Sequence, residues 1–151
     1  MSLVNPVNKS LCLEMICESN FQKLFKLIPN LLEFNEAAIG NAPRNTQLQL
    51  NIIERTPYTL TIELSHCFKK NRVEFLEPAV VIRIYLDAQL AEVLSDHARV
   101  SVTKVFQDPG LSQEIMNYKW RLNYFLEKWL DHCLTKDYLF IGKSLAEPLV
   151  A

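Results

Sequence analysis

Glycine is scarce in this sequence, which has only 3 glycines among its 151 residues. Soluble proteins average about 7% glycine, so this composition argues against collagen, low-complexity sequence and the glycine-rich loops that hold phosphate groups. Lysine and arginine number 16 against 17 aspartate and glutamate, which leaves a net charge of -1. A nearly neutral chain has no overall field that attracts nucleic acid or anionic lipid. Nucleic acid is therefore not an expected partner, although a local basic patch stays open.

Patterns for metal binding, membrane insertion and catalysis are also missing. The cysteines Cys12, Cys17, Cys67 and Cys133 contain no C-x-x-C pair, and the three histidines are scattered. We therefore expect four reduced, buried thiols and neither a metal nor another cofactor. No apolar run approaches the roughly 18 residues of a membrane span, and the first residues lack the order of a signal peptide. These features predict a cytoplasmic protein without a membrane partner, and no nucleophile elbow, phosphate loop or dinucleotide fingerprint identifies an enzyme.

The apolar content is sufficient for one packed core. Apolar residues make up 49% of the chain, including 8 Phe, 5 Tyr and 2 Trp. A chain of this length buries about 70% of the surface that it exposes when unfolded, so it needs no disulfide or metal for stability. No repeat or linker divides the sequence, and we predict a single domain over residues 1–151, with residues 1–9 and 144–151 frayed.

Two helical segments bracket a series of strands. Apolar residues recur at helical spacing over residues 10–28, where Pro29 ends the pattern, and again over residues 113–135. Between them, apolar and polar residues alternate with the period of two that is typical of half-buried strands. The predicted strands cover residues 48–52, 60–64, 80–86, 90–94 and 99–106, and the tail around Phe140 adds a short strand or covers the core. The predicted fold class is α+β, an antiparallel meander of four to six strands with the N-terminal and C-terminal helices packed on one face.

Short turns set the register of two predicted hairpins. A turn at Asp87-Ala88 places Arg83 opposite Glu92, and a three-residue loop between the first two strands places Glu54 opposite Tyr58. Arg83 and Glu92 are most simply an exposed cross-strand ion pair, which contributes about 0 to 1 kcal/mol to stability.

Two functional alternatives use residues of the same hairpins. Asp87 and Glu92 would serve acid/base or metal chemistry as a pair of carboxylates, although Asp87 is also a natural turn residue. A basic, aromatic sheet surface would instead stack nucleic acid bases, as single-strand binders do. Its residues are Tyr58, Tyr85, Arg83 and Arg55. The neutral net charge and the absence of a signature motif weigh against this second alternative.

Polar residues fall on helix faces that should be apolar. At about 100° per residue, Asn20 lies near the centre of the first helix's apolar stripe, while Lys119 lies within the second stripe and Asn123 at its edge. Burying such groups without partners costs several kcal/mol, so we expect them to converge on one polar site between the helices and the sheet, with Glu54 as a candidate partner of Lys119. The site is either a structural network, with Lys119 reaching past the end of the sheet, or a functional pocket.

Four blocks of this sequence resemble the YqiB-like family, a group of bacterial proteins of unknown function. The blocks are C-E-x-N-F-x-x-L-x-x-L-x-P at residues 17–29, E-x-x-x-Y-T at 54–59, R-x-Y-x-D-A-x-x-A-E-V at 83–93, and K-x-x-x-N-x-F-L-x-x-W-L-x-x-C-L at 119–134. They occur in the same order and cover most of the domain, from about residue 11 to residue 134. The resemblance implies a bacterial cytosolic single-domain protein and implies no reaction, substrate or cofactor.

The sequence favours a non-enzymatic binding or protein-interaction module that acts through a polar cleft beneath the helices or through the open sheet face. The alternative is a small-molecule enzyme or ligand sensor that uses the polar pocket. The partner is correspondingly an unknown protein or small molecule, and the oligomeric state is left open. No catalytic residue is assigned. The candidate binding residues are Asn20, Glu54, Tyr58, Arg83, Glu92, Lys119 and Asn123.

Overall fold

The computed structural model describes residues 6–70, 73–95 and 109–142. In chain order the elements are helix α1 (Pro6–Leu27), a single 3-10 turn (Leu31–Glu33), strands β1 (Ala37–Asn41), β2 (Gln47–Arg55), β3 (Thr59–Lys70), β4 (Val73–Tyr85) and β5 (Leu90–Ser95), helix α2 (Pro109–Leu134) and strand β6 (Leu139–Gly142). Within these ranges the six strands form one sheet in the order β5-β4-β3-β2-β1-β6, and every neighbouring pair is antiparallel. The predicted α+β class and the antiparallel meander are confirmed.

Both helices cover the same face of the sheet. Cross-strand partners share a face, and the rows Ile52–Ile62–Ile82–Val93 and Leu60–Ile84–Ala91 point into one core. That core also contains the apolar stripes of the helices, which are Leu24, Leu27 and Ile28 of α1 and Leu126, Trp129, Leu130 and Cys133 of α2. The two helices contact each other and both contact β5. The opposite face of the sheet is called the outer face below.

The helix boundaries follow from proline chemistry. The α1 helix ends at Leu27 because the residue before Pro29 is disfavoured in the helical region. Pro109 and Gly110 form the start of α2, four residues before the predicted helix at residues 113–135. Proline suits the first helical position because its missing N–H has no acceptor there. The side chain of Lys23 on α1 joins the helices by ion pairs to Glu127 and Asp131 of α2, at 3.4 and 2.8 Å.

The register of the β4–β5 hairpin is confirmed, whereas that of the β2–β3 hairpin is not. Arg83 lies opposite Glu92, with the turn formed by residues 86–89. Glu54 lies opposite Thr61 and not opposite Tyr58, because Ile52 pairs with Ile62 and not with Leu60, and a bulge between Ile52 and Glu54 then adds a residue to β2. The bulge directs Glu54 to the outer face, whereas an unbroken alternation from Ile52 would direct it toward the core.

Strand lengths also depart from the sequence prediction. The β3 and β4 strands pair from Thr59–Tyr85 out to Lys70–Val73, well beyond the predicted segments, because ladder pairing continues where no apolar alternation signals it. Strand β1 was not predicted at all. The predicted strand at residues 99–106 and the ends 1–5 and 143–151 lie outside the described residues, whereas residues 6–9 belong to α1.

The tail after α2 both adds a strand and closes the core. Asp137 adopts a positive φ of 58°, which turns the chain back toward the sheet, and β6 then pairs with β1. Phe140 is buried opposite Gly40. A Cβ atom on Gly40 would lie 2.6 Å from the Phe140 ring, so glycine at this position is what admits the ring.

Candidate functional site: the polar network at the β5 edge

Asn20 and Asn123 meet in the interior between the two helices. Both side chains are fully buried. The Nδ2 of Asn20 donates to the backbone oxygen of Asn123 at 3.2 Å, and the Nδ2 of Asn123 donates to the backbone oxygen of Lys119 at 2.9 Å. The two asparagines and the main chain of Lys119 are therefore joined by hydrogen bonds, as the helical phase of these residues predicted.

Asn123 also connects α2 to the edge of the sheet. Among the described residues β5 is the last strand on this side of the sheet, and the backbone N–H of Val93 donates to Oδ1 of Asn123 at 2.9 Å. An unpaired N–H buried at this position would cost about 1 to 3 kcal/mol. The side chain of Asn123 thus supplies the acceptor that a further strand would otherwise provide.

Cys17 completes this interior cluster. Its Sγ donates to Oδ1 of Asn123 at 3.7 Å, and the residue is buried. Burial, assisted by the negative charge of Glu92, raises the pKa of the Cys17 thiol to about 12. A thiol with so high a pKa is neutral at physiological pH and is a poor nucleophile. Cys67 and Cys133 are also buried, Cys12 is partly exposed, and none of the four cysteines is disulfide-bonded.

Lys119 extends from the interior toward the outer face. Its Nζ lies 2.6 Å from Oε2 of Glu92, and the side chains of the two residues are 42% and 19% exposed. The hydroxyl of Tyr85 donates to the other carboxylate oxygen of Glu92 at 3.4 Å. Lys119 therefore reaches past the sheet edge, and its partner is Glu92 and not the predicted Glu54. The long Lys119 side chain can cover apolar surface while its charge stays at the rim.

A row of polar residues crosses the outer face of the sheet. Glu54 pairs with Thr61, Thr61 with Arg83, and Arg83 with Glu92, so the four side chains share one face. Lys119 lies at the β5 end of this row through its contact with Glu92. We call these four strand residues and Lys119 the outer polar row.

Arg83 retains unused hydrogen-bonding capacity within the outer polar row. Because Glu92 is bound by Lys119, the expected ion pair between Arg83 and Glu92 is not formed among the described residues. Arg83 instead donates weakly from Nε to Oγ1 of Thr61, at 3.5 Å, and its side chain is partly buried. The guanidinium carries five N–H donors in a planar fork. Most of these donors remain for an acceptor outside the described residues.

Tyr58 lies at the same end of the sheet, in the turn between β2 and β3. Its backbone oxygen accepts a hydrogen bond from the N–H of Leu86, which ties the two neighbouring turns together at 2.9 Å. Its side chain is exposed. The structure thus gathers Glu54, Arg83, Glu92 and Lys119 into one row, sets Tyr58 at the adjoining turn, and holds Asn20 and Asn123 in the interior behind Lys119.

Two alternative groupings are not supported. The carboxylate of Asp87 accepts the N–H of Ala88 within the turn, whereas Glu92 binds Lys119 and Tyr85. Arg55 lies opposite Leu60, on the core side, and its Nη2 donates to the backbone oxygen of Phe34 at 2.6 Å. It therefore does not share a surface with Arg83.

Two members of this region were missed from the sequence. The sequence predicts for Cys17 only a buried thiol, although Cys17 lies one helical turn before Asn20 on the apolar stripe of α1 and its thiol reaches Asn123. Thr61 was missed because the wrong register separated it from Glu54. An even alternation of apolar residues in β2 and β3 carries no sign of the bulge that corrects this register.

Neither a metal-binding cluster nor a membrane-spanning helix is found among the described residues. In this part of the chain, no three His, Cys, Asp or Glu side chains are grouped so that they could hold a metal ion. Neither of the two helices in this part is long and apolar enough to cross a membrane.

The fold and this site define an α+β protein with one antiparallel sheet and a helix-covered edge. Residues 23–139 match the model of a family described as "Protein of unknown function (DUF1249)". The chain belongs to this family, and its resemblance to YqiB-like proteins is confirmed.

The curated relatives come from Escherichia coli. "Uncharacterized protein YqiB" of strain K12 is 30% identical over 122 residues, which cover 79% of this chain and 84% of that relative. The proteins with the same description from strains O6:H1 and O157:H7 show the same identity and coverage. No solved structure matches this chain.

Proposed function

We propose that this protein is a non-enzymatic, cytoplasmic protein-interaction module, and that Arg83 in the outer polar row receives an acidic group of the partner. The observation that carries the proposal is that Glu92 in the outer polar row binds Lys119 and not Arg83. Lys119 takes the carboxylate that lies opposite Arg83, so that among the described residues the arginine fork has only its long contact with Thr61. Arginine binds carboxylates in a planar, two-pronged geometry that a lysine does not reproduce.

The surroundings of Arg83 suit a protein partner. The arginine is partly buried among strand residues, so its charge is less screened than that of a fully exposed side chain. The exposed Tyr58 lies at the same end of the sheet. Tyrosine and arginine are enriched among the residues that dominate binding energy at protein interfaces.

The hydrogen bonds of Asn20, Cys17 and Asn123 in the interior suit a structural role beneath the outer polar row better than a catalytic role. Both polar atoms of the Asn123 side chain are hydrogen-bonded, and the Cys17 thiol is buried with a raised pKa. These groups hold α2 against β5 and so fix the position from which Lys119 binds Glu92. Within the described part of the chain, Glu92 is thereby kept away from the Arg83 fork in advance of binding, which lowers the cost of association.

The proposal is tested by comparing three immobilised proteins in the same bacterial lysate: wild type, Arg83→Gln and Arg44→Gln. Arg44 is exposed in the turn at the opposite end of β2, so its substitution is a matched charge control. A specific partner should be retained by wild type and by Arg44→Gln and be depleted by Arg83→Gln. With that partner purified, Arg83→Gln should weaken Kd about 10-fold or more, since a hydrogen bond to a charged group contributes roughly 1.5 to 3 kcal/mol.

Equal binding by all three proteins would contradict the role of Arg83. A partner lost equally with both substitutions would indicate a general dependence on charge and would also contradict it. Replacing the partner's acidic residues one at a time should identify one whose substitution has no further effect in the Arg83→Gln background.

One observation favours the alternative of a small-molecule site. The Oδ1 of Asn20 is buried and has no hydrogen-bond partner among the described residues. A ligand bound between the helices would supply the missing donor, and a single ordered water would do the same. A metabolite that raises the Tm of wild type and not of Asn20→Leu would support this alternative. Equal shifts in the two proteins would exclude this position as the binding site.

A further inference from the structure

Glu92 lies between two cations of the outer polar row. Its Oε2 is 2.6 Å from Nζ of Lys119, which belongs to α2, while Arg83 lies directly opposite it on β4. Opposed residues of an antiparallel pair have Cβ atoms about 5 Å apart, so the long Arg83 side chain is within reach of the same carboxylate. Glu92 therefore has two alternative partners, one on a helix and one in the sheet.

The carboxylate of Glu92 needs one of these two cations. Its side chain is only 19% exposed, and a carboxylate with so little access to water is costly unless it is paired. Its other contact is the long hydrogen bond from the Tyr85 hydroxyl, at 3.4 Å. A neutral hydroxyl is a weaker partner for a carboxylate than a cation is. If the charge of Lys119 is removed, Arg83 is the cation that lies directly opposite Glu92.

We propose that Glu92 is an internal competitor for the Arg83 guanidinium and that the charge of Lys119 keeps it away. With Lys119 charged, Glu92 binds α2, and among the described residues Arg83 has only its contact with Thr61, at 3.5 Å. Without that charge, Glu92 turns to Arg83 and forms the two-pronged pair that arginine makes with carboxylates. Lys119 is thus a positioning residue, since it acts on Arg83 only through Glu92.

One charge is sufficient to decide between the two arrangements. Each contains one partly exposed ion pair of Glu92, and such pairs differ little in stability. The exchange of partners needs only side-chain rotations, so the backbone pairing of β4 with β5 stays as it is. The Lys119 side chain is already 42% exposed and can enter water when Glu92 leaves it.

The consequence for binding rests on the proposed function of Arg83. A partner's carboxylate must compete with Glu92 for the same donors, so the apparent Kd rises with the fraction of molecules in which Arg83 and Glu92 are paired. The interior hydrogen bonds hold Lys119 at the β5 edge, because Asn123 accepts from Val93 and donates to the backbone oxygen of Lys119. Neutralising Lys119, or moving it away from β5, should therefore weaken binding without any change in Arg83 itself.

The reactivity of Arg83 toward phenylglyoxal tests the competition without any partner. This dicarbonyl condenses with guanidinium groups, and an arginine engaged by a carboxylate has fewer free N–H groups for the reaction. Peptide mass mapping gives the rate at Arg83 relative to Arg44, an exposed arginine of the same molecule. In Lys119→Met this ratio should fall about five-fold from its wild-type value, as expected when about four-fifths of the molecules carry the internal pair.

Three further variants separate the effect of charge from a loss of structure. Lys119→Arg keeps a cation at Glu92 and should keep the wild-type ratio. Lys119→Met combined with Glu92→Gln removes the competitor and should restore the ratio. Lys128→Met is the matched control and should leave the ratio unchanged, because Lys128 lies about two and a half turns further along α2, 5.1 Å from the centroid of the Tyr124 ring. Circular dichroism melts establish that each variant is folded.

An unchanged ratio in Lys119→Met, or a lowered ratio that the added Glu92→Gln does not restore, would overturn the proposal. Binding is measured separately, with the partner that the lysate comparison identifies. Its Kd should be about five-fold weaker for Lys119→Met than for wild type and should recover in the double variant. A lowered ratio with undiminished partner binding would uphold the competition and contradict the proposed function of Arg83.

Discussion

At the β5 edge of the sheet a helix side chain binds the outward N–H of Val93, whereas at the β6 edge an uncharged strand ends the sheet with two exposed apolar residues. The β5 edge is further covered by the ion pair between Lys119 and Glu92. The β6 edge is covered by nothing within the described residues. The two edges of this sheet therefore differ: a side chain of α2 hydrogen-bonds to one, and exposed apolar residues lie at the other.

The comparison shows that fixing an edge strand in position does not by itself provide partners for its outward groups. Phe140 anchors β6 to the core and Asn123 anchors α2 to β5, and both side chains are buried. At β5 the anchoring residue, Asn123, also accepts a hydrogen bond from the outward N–H of Val93. At β6 the anchor points inward, and no described residue other than those of β1 pairs with the strand.

The largest effect is expected from Phe140→Ala, which removes the anchor of the open edge. Deleting a buried phenylalanine side chain costs about 3 to 5 kcal/mol. Leu139→Ala removes an exposed neighbour and should cost less than about 1 kcal/mol. Urea denaturation of both variants measures the difference. A small loss for Phe140→Ala would show that β6 is not part of the cooperative core.

A somewhat smaller effect is expected from Asn123→Ala at the closed edge. The substitution leaves the N–H of Val93 without its acceptor and should lower the free energy of unfolding by about 2 to 3 kcal/mol. Asn20→Leu is the comparison, because it removes an oxygen that has no partner among the described residues and a single hydrogen bond, from Nδ2 to the backbone oxygen of Asn123. It should change stability by less than about 1 kcal/mol, since an apolar group of similar shape replaces the amide and the backbone oxygen of Asn123 lies within α2, where a helical N–H also reaches it. Equal losses for the two substitutions would mean that Asn123 has no special role at the edge.

Gly40→Ala should lower stability by about 1 to 3 kcal/mol through overpacking. The added Cβ would lie 2.6 to 2.8 Å from three atoms of the Phe140 ring. The loss should shrink when Phe140→Leu is present, because the smaller side chain leaves room for the methyl group. A double-mutant cycle measures this coupling, and strictly additive losses would contradict the proposed contact.

The smallest effect is expected from Lys119→Met and Glu92→Gln. The ion pair is partly exposed, so each substitution should change the free energy of unfolding by no more than about 1 kcal/mol. Chemical denaturation at low and high salt provides the measurement. A loss several times larger in either variant would indicate that the pair closes the β5 edge more strongly than Asn123 does.

The buried helix faces and the β4–β5 register could be predicted from the sequence, whereas the contacts at the two edges of the sheet could not. Helical phase identified Asn20 and Asn123 as buried, because a polar residue within an apolar stripe has only the interior to face. The short β4–β5 turn fixed the pairing of Arg83 with Glu92. Both predictions rest on local spacing, which the chain cannot alter without exposing its core.

What could not be predicted depends on long-range contacts. The bulge that sets Glu54 opposite Thr61 has no local sequence signal. Strand β1 has only five residues, one of them Gly40, and is too short to show an alternation of apolar and polar residues. The choice of Glu92 over Glu54 as the partner of Lys119 depends on α2 lying along β5, at the edge of the sheet and not over its middle. A helical pattern predicts which face of α2 is buried but not which strand it contacts.

Amide hydrogen exchange, followed by NMR, tests the contrast between the two edges most directly. The Val93 amide of the wild-type protein should exchange slowly and should lose this protection in Asn123→Ala. The outward amides of β6 should exchange rapidly, because among the described residues β6 pairs only with β1. A Val93 amide that exchanges freely in the wild-type protein, or outward β6 amides that are as strongly protected as that of Val93, would contradict this contrast.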